Sequence, residues 1–100
     1  MQDEDETIQN KYLKCLKTLI GVNERINYQE AFNLITEIYN TVKKANPEIL
    51  IILGIMNEKG LHIPRSYKNA IKYYKEAAKL KSGKAYFHLG QLAENKILDE

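Results

Sequence analysis

Apolar residues recur along most of the chain at intervals of three and four, the spacing that places side chains on one face of an α-helix. Four stretches have this pattern, and a further stretch is apolar on every side. The first stretch begins near Thr7, and Gly21 ends it, because glycine readily takes the left-handed conformation at a helix C-terminus. The pattern therefore predicts five helices and requires no strand.

Local signals mark where the remaining helices begin. Asn27 is predicted to cap the second helix, with Glu30 three residues later completing a capping box. Asn46 is predicted to cap the third helix, with Pro47 at the first position, where its missing N–H costs nothing. The fourth and fifth helices are predicted to begin after two serine caps, Ser66 and Ser82.

The third helix contains the longest apolar run, residues 49–56, and Gly60 ends it. A helix that is apolar on every side must be covered on most of its faces. A buried strand is the alternative interpretation, because the run is rich in β-branched residues. We favour the helix, since the sequence offers no second strand to pair with it.

The inward-facing positions follow from the same spacing. In the first helix they are Ile8, Tyr12, Cys15, Leu16 and Leu19, and in the second Tyr28, Ala31, Phe32, Ile35, Ile38, Tyr39 and Val42. In the fourth they are Tyr67, Ala70, Ile71, Tyr74, Ala77 and Ala78, and in the fifth Ala85, Tyr86, Leu89, Leu92 and Ala93. Tyr73 is expected to pack against a neighbouring helix with its hydroxyl at the edge.

The chain is similar to itself at an interval of 36 to 39 residues. The pair Leu53-Gly54 returns as Leu89-Gly90, and positions 21–31 match positions 60–70. An interval of this size is typical of helical solenoids, in which stacked helix pairs supply one another's core. The predicted fold is all-α, a short right-handed α-solenoid of about five antiparallel helices, or about two and a half helix pairs.

Three segments carry a resemblance to a known family. Residues 53–61, 67–78 and 85–90 resemble the Sel-one-like repeat family, a relative of the tetratricopeptide repeats, and the match covers about residues 49–93. The small and aromatic positions that define the repeat are Gly54, Gly60, Ala70, Tyr74, Ala77, Ala78, Ala85, Leu89 and Gly90. The resemblance implies an adaptor that presents grooves to partner proteins, as a subunit or scaffold, without catalysis.

The resemblance also suggests how the chain is organised. Residues 1–6 form an acidic tail that is predicted to be disordered. Residues 7–46 form a degenerate first helix pair, in which Cys15 takes the place of Gly54. Residues 47–82 form the Sel-one-like repeat, and residues 83–100 a terminal half-repeat helix with a tail.

Composition limits the classes of function. A length of 100 residues indicates one domain, and 44% apolar with 28% charged residues is typical of a globular chain. A net charge of +2 does not argue for a nucleic-acid partner by itself. The acidic N-terminus is unlike a secretory or mitochondrial leader, and the longest apolar run is too short to span a bilayer. We therefore expect a cytoplasmic protein, with the nucleus as the alternative compartment.

No constellation of residues suggests catalysis, a metal or a cofactor. His62 and His88 are the only histidines, and neither has a second ligand at metal-binding spacing. Cys15 is the only cysteine, which excludes an internal disulfide, and it lies on an apolar helix face without a nearby base. The glycines are isolated, so no phosphate-binding loop is present. We expect a protein that is not an enzyme.

A stripe of basic residues follows the fourth helix. Its members, here called the lysine stripe, are Lys68, Lys72, Lys75 and Lys79, and Lys81 and Lys84 continue it. Between Arg65 and Lys84 there are seven basic residues and one acidic residue, Glu76. A solvated outer face is the simplest interpretation. The alternatives are a patch for an acidic protein segment, or a phosphate-binding surface of an RNA- or ribosome-associated factor.

The fifth helix has no sixth helix after it to complete its pair. Terminal elements of solenoids are normally polar on their outer side, and Gln91 and Glu94 provide part of this. Tyr86 and Phe87, however, belong to faces that a complete repeat would cover. We expect a partner protein to dock at this end, or in the groove lined by the first helix of each pair.

Overall fold

The computed structural model of the chain describes residues 2–21, 26–41 and 46–95, and its regular structure there is entirely α-helical. The helices are α1 (Gln2–Ile20), α2 (Tyr28–Thr41), α3 (Pro47–Lys59), α4 (Tyr67–Lys79) and α5 (Gly83–Glu94). The all-α prediction is confirmed, and the strand alternative for residues 49–56 is wrong. The chain divides into two compact units, Met1–Lys43 with α1 and α2, and Lys44–Glu100 with α3, α4 and α5.

The predicted caps form as the sequence indicates. The Asn46 side-chain oxygen accepts the Glu48 N–H at 2.9 Å, and Pro47 stands at the start of α3. Gly60 ends α3 in the left-handed region, with a φ of 68°, and its N–H donates to the Met56 carbonyl. The hydroxyls of the two serine caps accept N–H groups three residues later, Ser66 from Asn69 and Ser82 from Ala85.

The first unit departs from the predictions at the end of the connector between its helices. The Asn27 side chain accepts the Glu30 N–H at 3.0 Å, which is half of the predicted capping box. The other half does not form, because the Asn27 N–H donates to the Thr18 carbonyl at 2.9 Å. The Glu30 carboxylate pairs instead with Lys14 of α1 at 3.0 Å. The start of α2 is therefore held by contacts with α1 as well as by its own cap.

Helix α1 begins at Gln2 rather than near Thr7, so the backbone of the acidic segment predicted to be disordered is helical. The partial positive charge at a helix N-terminus favours acidic residues in the first turns of the helix, and residues 3–6 of α1 are all acidic. Predictions that involve Val22, Val42 or the segment after Asn95 lie outside the described residues.

The core of the first unit is a small set of fully buried residues. In α1 they are Cys15 and Thr18, and in α2 they are Ala31, Ile35 and Ile38. The Cys15 thiol donates to the Ala31 carbonyl at 3.3 Å, and the Thr18 hydroxyl donates to the Cys15 carbonyl at 2.8 Å. Two ion pairs join the helices outside this core, Lys11 with Glu37 and Lys14 with Glu30.

The core of the second unit lies where α3 and α4 approach each other most closely. Its buried members are Leu50, Ile51, Ala70, Tyr74, Ala77, Ala85 and Leu92. The ring of Tyr74 lies directly over Gly54. A Cβ atom on Gly54 would be 2.6 Å from Cδ1 and 2.9 Å from Cζ of Tyr74, and closer still to Cε1. Only glycine therefore fits at position 54 with this spacing between the helices.

Coverage of the apolar helix α3 is confirmed, whereas part of the prediction for α5 is wrong. Of the apolar run, Ile49, Leu50, Ile51, Leu53 and Met56 are buried. In α5, Ala85 and Leu92 are buried as predicted, but Tyr86 and Ala93 are exposed. The reason is that α5 packs in this unit mainly against α4, so one side of α5 has no neighbouring helix among the described elements.

Candidate docking site

Two adjacent aromatic side chains of α5 are largely exposed. The exposed fraction is 59% for Tyr86 and 63% for Phe87, the highest values among the large hydrophobic residues of the described chain. The Tyr86 hydroxyl donates to the Ala78 carbonyl at 3.2 Å, which holds its ring beside the end of α4. Phe87 contacts the ring of His88 edge-on, with 5.7 Å between ring centroids. Aromatic residues held in this way present apolar surface to solvent.

Three further exposed residues share this side of α5 with the aromatic pair. Helical spacing places Gly90, Ala93 and Glu94 between and beside Tyr86 and Phe87. A Cβ atom on Gly90 would meet nothing within 4 Å. We call the set of Tyr86, Phe87, Gly90, Ala93 and Glu94 the open face of α5. Gln91, also predicted to bind a partner, is exposed at its margin.

His88 lies on the opposite side of α5 and contacts the core. Its ring stacks on Tyr74, with centroids 4.8 Å apart and planes 9° from parallel. Its Nδ1 atom is buried and has no hydrogen-bond partner among the described residues. Burial lowers the pKa of His88, although the nearby Glu58 carboxylate opposes the shift. The geometry is that of a neutral packing residue.

The two other candidate chemical groups are the Cys15 thiol and the His62 ring. Burial raises the pKa of the Cys15 thiol to about 11, which leaves it protonated at neutral pH. His62 lies in the turn after α3, with a φ of 72°. Within the described ranges no three His, Cys, Asp or Glu side chains are grouped as metal ligands.

The lysine stripe is a separate surface, on α4. Its four side chains are exposed, and with Ile71 and Glu76 they line a shallow depression of about 490 Å³. None of the four amines forms an ion pair with a described residue. Lys84, which was predicted to continue the stripe, is exposed, and its amine pairs with Glu48 of α3 at 3.0 Å.

The residues predicted for partner binding therefore fall into two groups on two helices. Lys68, Lys72, Lys75 and Lys79 lie on α4, and Tyr86, Phe87, Gln91 and Glu94 on α5. The residues predicted to define a repeat lie in the core or in turns of the second unit, with Gly90 as the exception. Gly90 is instead exposed beside the aromatic pair.

No protein-family model matches the chain, and neither a curated protein nor a solved structure matches it. Among the described helices, none is both long enough and apolar enough to cross a membrane.

Proposed function

We propose that the chain is a non-catalytic protein–protein interaction module, an adaptor or small subunit of a larger assembly, and that its partner docks on the open face of α5. The observation that supports this function is the adjacent exposure of Tyr86 and Phe87. Aromatic residues are enriched at protein interfaces and often supply most of the binding energy there. Apolar surface of this kind is unfavourable in water, and a partner that covers it gains the hydrophobic free energy.

The proposal includes the finer architecture, a right-handed solenoid of Sel-one-like repeats acting in the cytoplasm or nucleus. Two features of the second unit support the repeat. Tyr74 packs over Gly54 as neighbouring helices of such a unit would require, and the pair Leu53-Gly54 returns in α5 as Leu89-Gly90.

A pair of matched double variants tests the docking proposal. Tyr86→Ser with Phe87→Ser removes the aromatic surface. Leu13→Ser with Ile26→Ser is the control, because these residues are also about half exposed, at 53% and 52%, but lie in the first unit. Wild type and both variants are tagged and checked for equal helix content by circular dichroism. The three proteins are then used to capture partners from cells of the source organism. Each captured protein is then purified and titrated by calorimetry.

The expected result is a partner whose affinity falls at least tenfold for the aromatic variant and stays unchanged for the control, since hot-spot aromatics carry about 2 kcal/mol or more each. A partner that binds both variants equally well would show that the interface lies elsewhere.

The lysine stripe favours a second candidate function, an RNA- or ribosome-associated factor. Four exposed amines on one helix face, none paired with a described carboxylate, could contact phosphates. Single-stranded RNA bound through four contacts would lose affinity with salt at a logarithmic slope of about −3. Titration of labelled RNA at several salt concentrations, repeated with all four lysines changed to glutamine, measures this slope. A salt-insensitive signal that the glutamine variant retains excludes phosphate binding by the stripe.

A further inference from the structure

The contact between α3 and α4 shows which side chains pack on a helix face that corresponds to the open face of α5. Helix α4 covers Leu50, Ile51 and Gly54 of α3, and Tyr74 is the central residue of the contact. Its ring occupies the space above Gly54, and its hydroxyl donates to the Glu58 carboxylate at 2.7 Å. Ala70 and Ala77, four residues before and three after Tyr74, are fully buried in the same contact. Small residues on either side allow the two helices to approach.

The open face of α5 repeats the face of α3 that receives Tyr74. Aligning Leu53-Gly54 with Leu89-Gly90 sets an offset of 36 residues, and the equal spacing within each helix then places paired positions on equivalent faces. The corresponding pairs are Leu50 and Tyr86, Ile51 and Phe87, Gly54 and Gly90, Asn57 and Ala93, and Glu58 and Glu94.

Burial of the opposite side supports this correspondence. Ile49 and Met56 of α3 are buried, and their counterparts Ala85 and Leu92 of α5 are buried as well. The receiving face is therefore covered in α3, whereas the corresponding face of α5 is exposed.

We propose that the open face of α5 is a socket for a tyrosine carried on a helix of another protein. This proposal rests on the proposed function and names the chemistry of its partner. The tyrosine ring lies over Gly90, its hydroxyl donates to the Glu94 carboxylate, and Tyr86 and Phe87 contact the flanks of the ring. The partner helix carries a small residue four positions before the tyrosine and another three positions after it, as α4 does.

The sequence argues against a second copy of this chain as the occupant. The pattern Ala-x-x-x-Tyr-x-x-Ala occurs once in the 100 residues, in α4, as Ala70, Tyr74 and Ala77. Those three residues are fully buried in their own unit. A second copy could present them only by unfolding, and the occupant we propose is therefore an exposed helix of this pattern on a different protein.

A labelled peptide with the sequence of residues 66–80 is the probe, because this segment covers the equivalent face of α3. The peptide is stapled across positions 68 and 72, on its exposed side, since an isolated helix of this length is marginal in water. Fluorescence anisotropy measures its binding to the full-length protein. We expect saturable binding that weakens at least tenfold when the peptide carries Tyr74→Ala, because an anchoring aromatic is worth about 2 kcal/mol or more.

Glycine variants of the protein locate the binding site. Gly90→Ala should weaken binding at least tenfold, because the equivalent Cβ on Gly54 would overlap the tyrosine ring. Gly83→Ala is the matched control, since it makes the same change in the same helix, also with nothing within 4 Å, but outside the open face. Glu94→Ala should abolish the preference for a tyrosine peptide over a phenylalanine peptide, a difference of about fivefold for one hydrogen bond.

The controls separate the possible failures. A peptide that displaced the chain's own α4 would bind Gly90→Ala as well as wild type, and this result would overturn the socket. Concentration-dependent dimerisation that Gly90→Ala abolishes would also overturn it, because the occupant would be a second copy. A natural partner that is lost by the Tyr86 and Phe87 variant but kept by Gly90→Ala would leave the docking function intact and refute the tyrosine socket. If neither variant affects any partner, both proposals fail.

Discussion

The substitution Gly54→Ala tests the packing of the second unit. The added methyl group would lie 2.6 Å from Cδ1 and 2.9 Å from Cζ of Tyr74, more than an ångström inside the ordinary carbon–carbon separation at Cδ1. The ring cannot easily withdraw, because Tyr74 is fully buried, its face stacks on His88 and its hydroxyl is bound to Glu58. Overpacking of this severity costs about 3 kcal/mol, the upper end of the usual range.

Alanine also favours a helix over glycine by about 1 kcal/mol, so the net loss of unfolding free energy for Gly54→Ala is about 2 kcal/mol. Gly90→Ala makes the same chemical change in the equivalent position of α5, where the methyl group meets nothing within 4 Å. It should therefore raise the free energy of unfolding by about 1 kcal/mol. The two variants are expected to fall on opposite sides of wild type.

Urea denaturation followed by circular dichroism measures both values. A double variant provides an internal check, because Tyr74→Ala removes the ring that the new methyl group would meet. In the Tyr74→Ala background the cost of Gly54→Ala should vanish, a strong non-additivity between residues in contact. The reasoning is refuted if Gly54→Ala proves as stable as Gly90→Ala, or if the cost of Gly54→Ala is unchanged without the tyrosine ring.

Three further predictions concern single side chains. Lys81 has a φ of 62°, in the left-handed region that glycine adopts more easily than lysine. Lys81→Gly should therefore raise the free energy of unfolding by about 1 kcal/mol, measured by urea denaturation. A loss of the same size would contradict this reasoning. The Cys15 thiol ionises near 9.0 when unfolded but at about 11 when folded, so stability should fall as pH rises through this window. Cys15→Ala should lack that component, which is worth about 3 kcal/mol, and parallel curves for the two proteins would rule it out. Burial lowers the pKa of His88, so protonation below about pH 6.5 favours unfolding. His88→Gln should therefore show a smaller loss of stability in acid than wild type, measured as the shift of the urea midpoint.

The helices and most of their caps could be predicted from the sequence, because the determining interactions are local. Asn46, Ser66 and Ser82 each accept an N–H within three residues, and Gly60 needs only its own left-handed conformation. The capping box at Asn27 failed for the opposite reason. Its N–H is used by the carbonyl of Thr18, a contact between segments that a local motif does not contain.

The spacing of apolar residues predicted which residues of α5 share a face, but not which face is covered by a neighbouring helix. Tyr86 and Leu89 both fit the apolar spacing, yet Tyr86 is exposed and Leu89 packs against the core. The difference depends on which neighbours are present, and spacing along one helix carries no information about that. For the same reason the lysines of α4 could be placed on an outer face, whereas the pairing of Lys84 with Glu48 could not be foreseen.

The two Leu-Gly pairs connect the fold to the proposed site. A glycine inside a helix costs about 1 kcal/mol relative to alanine, because of the backbone freedom it loses on folding. At position 54 the close approach of Tyr74 offsets this cost, since any side chain would collide with the ring. At position 90 no described residue lies close enough to offset it. A ring from outside the described chain that lies over Gly90 would offset this cost, because it would leave no room for a Cβ atom. The tyrosine socket provides this contact.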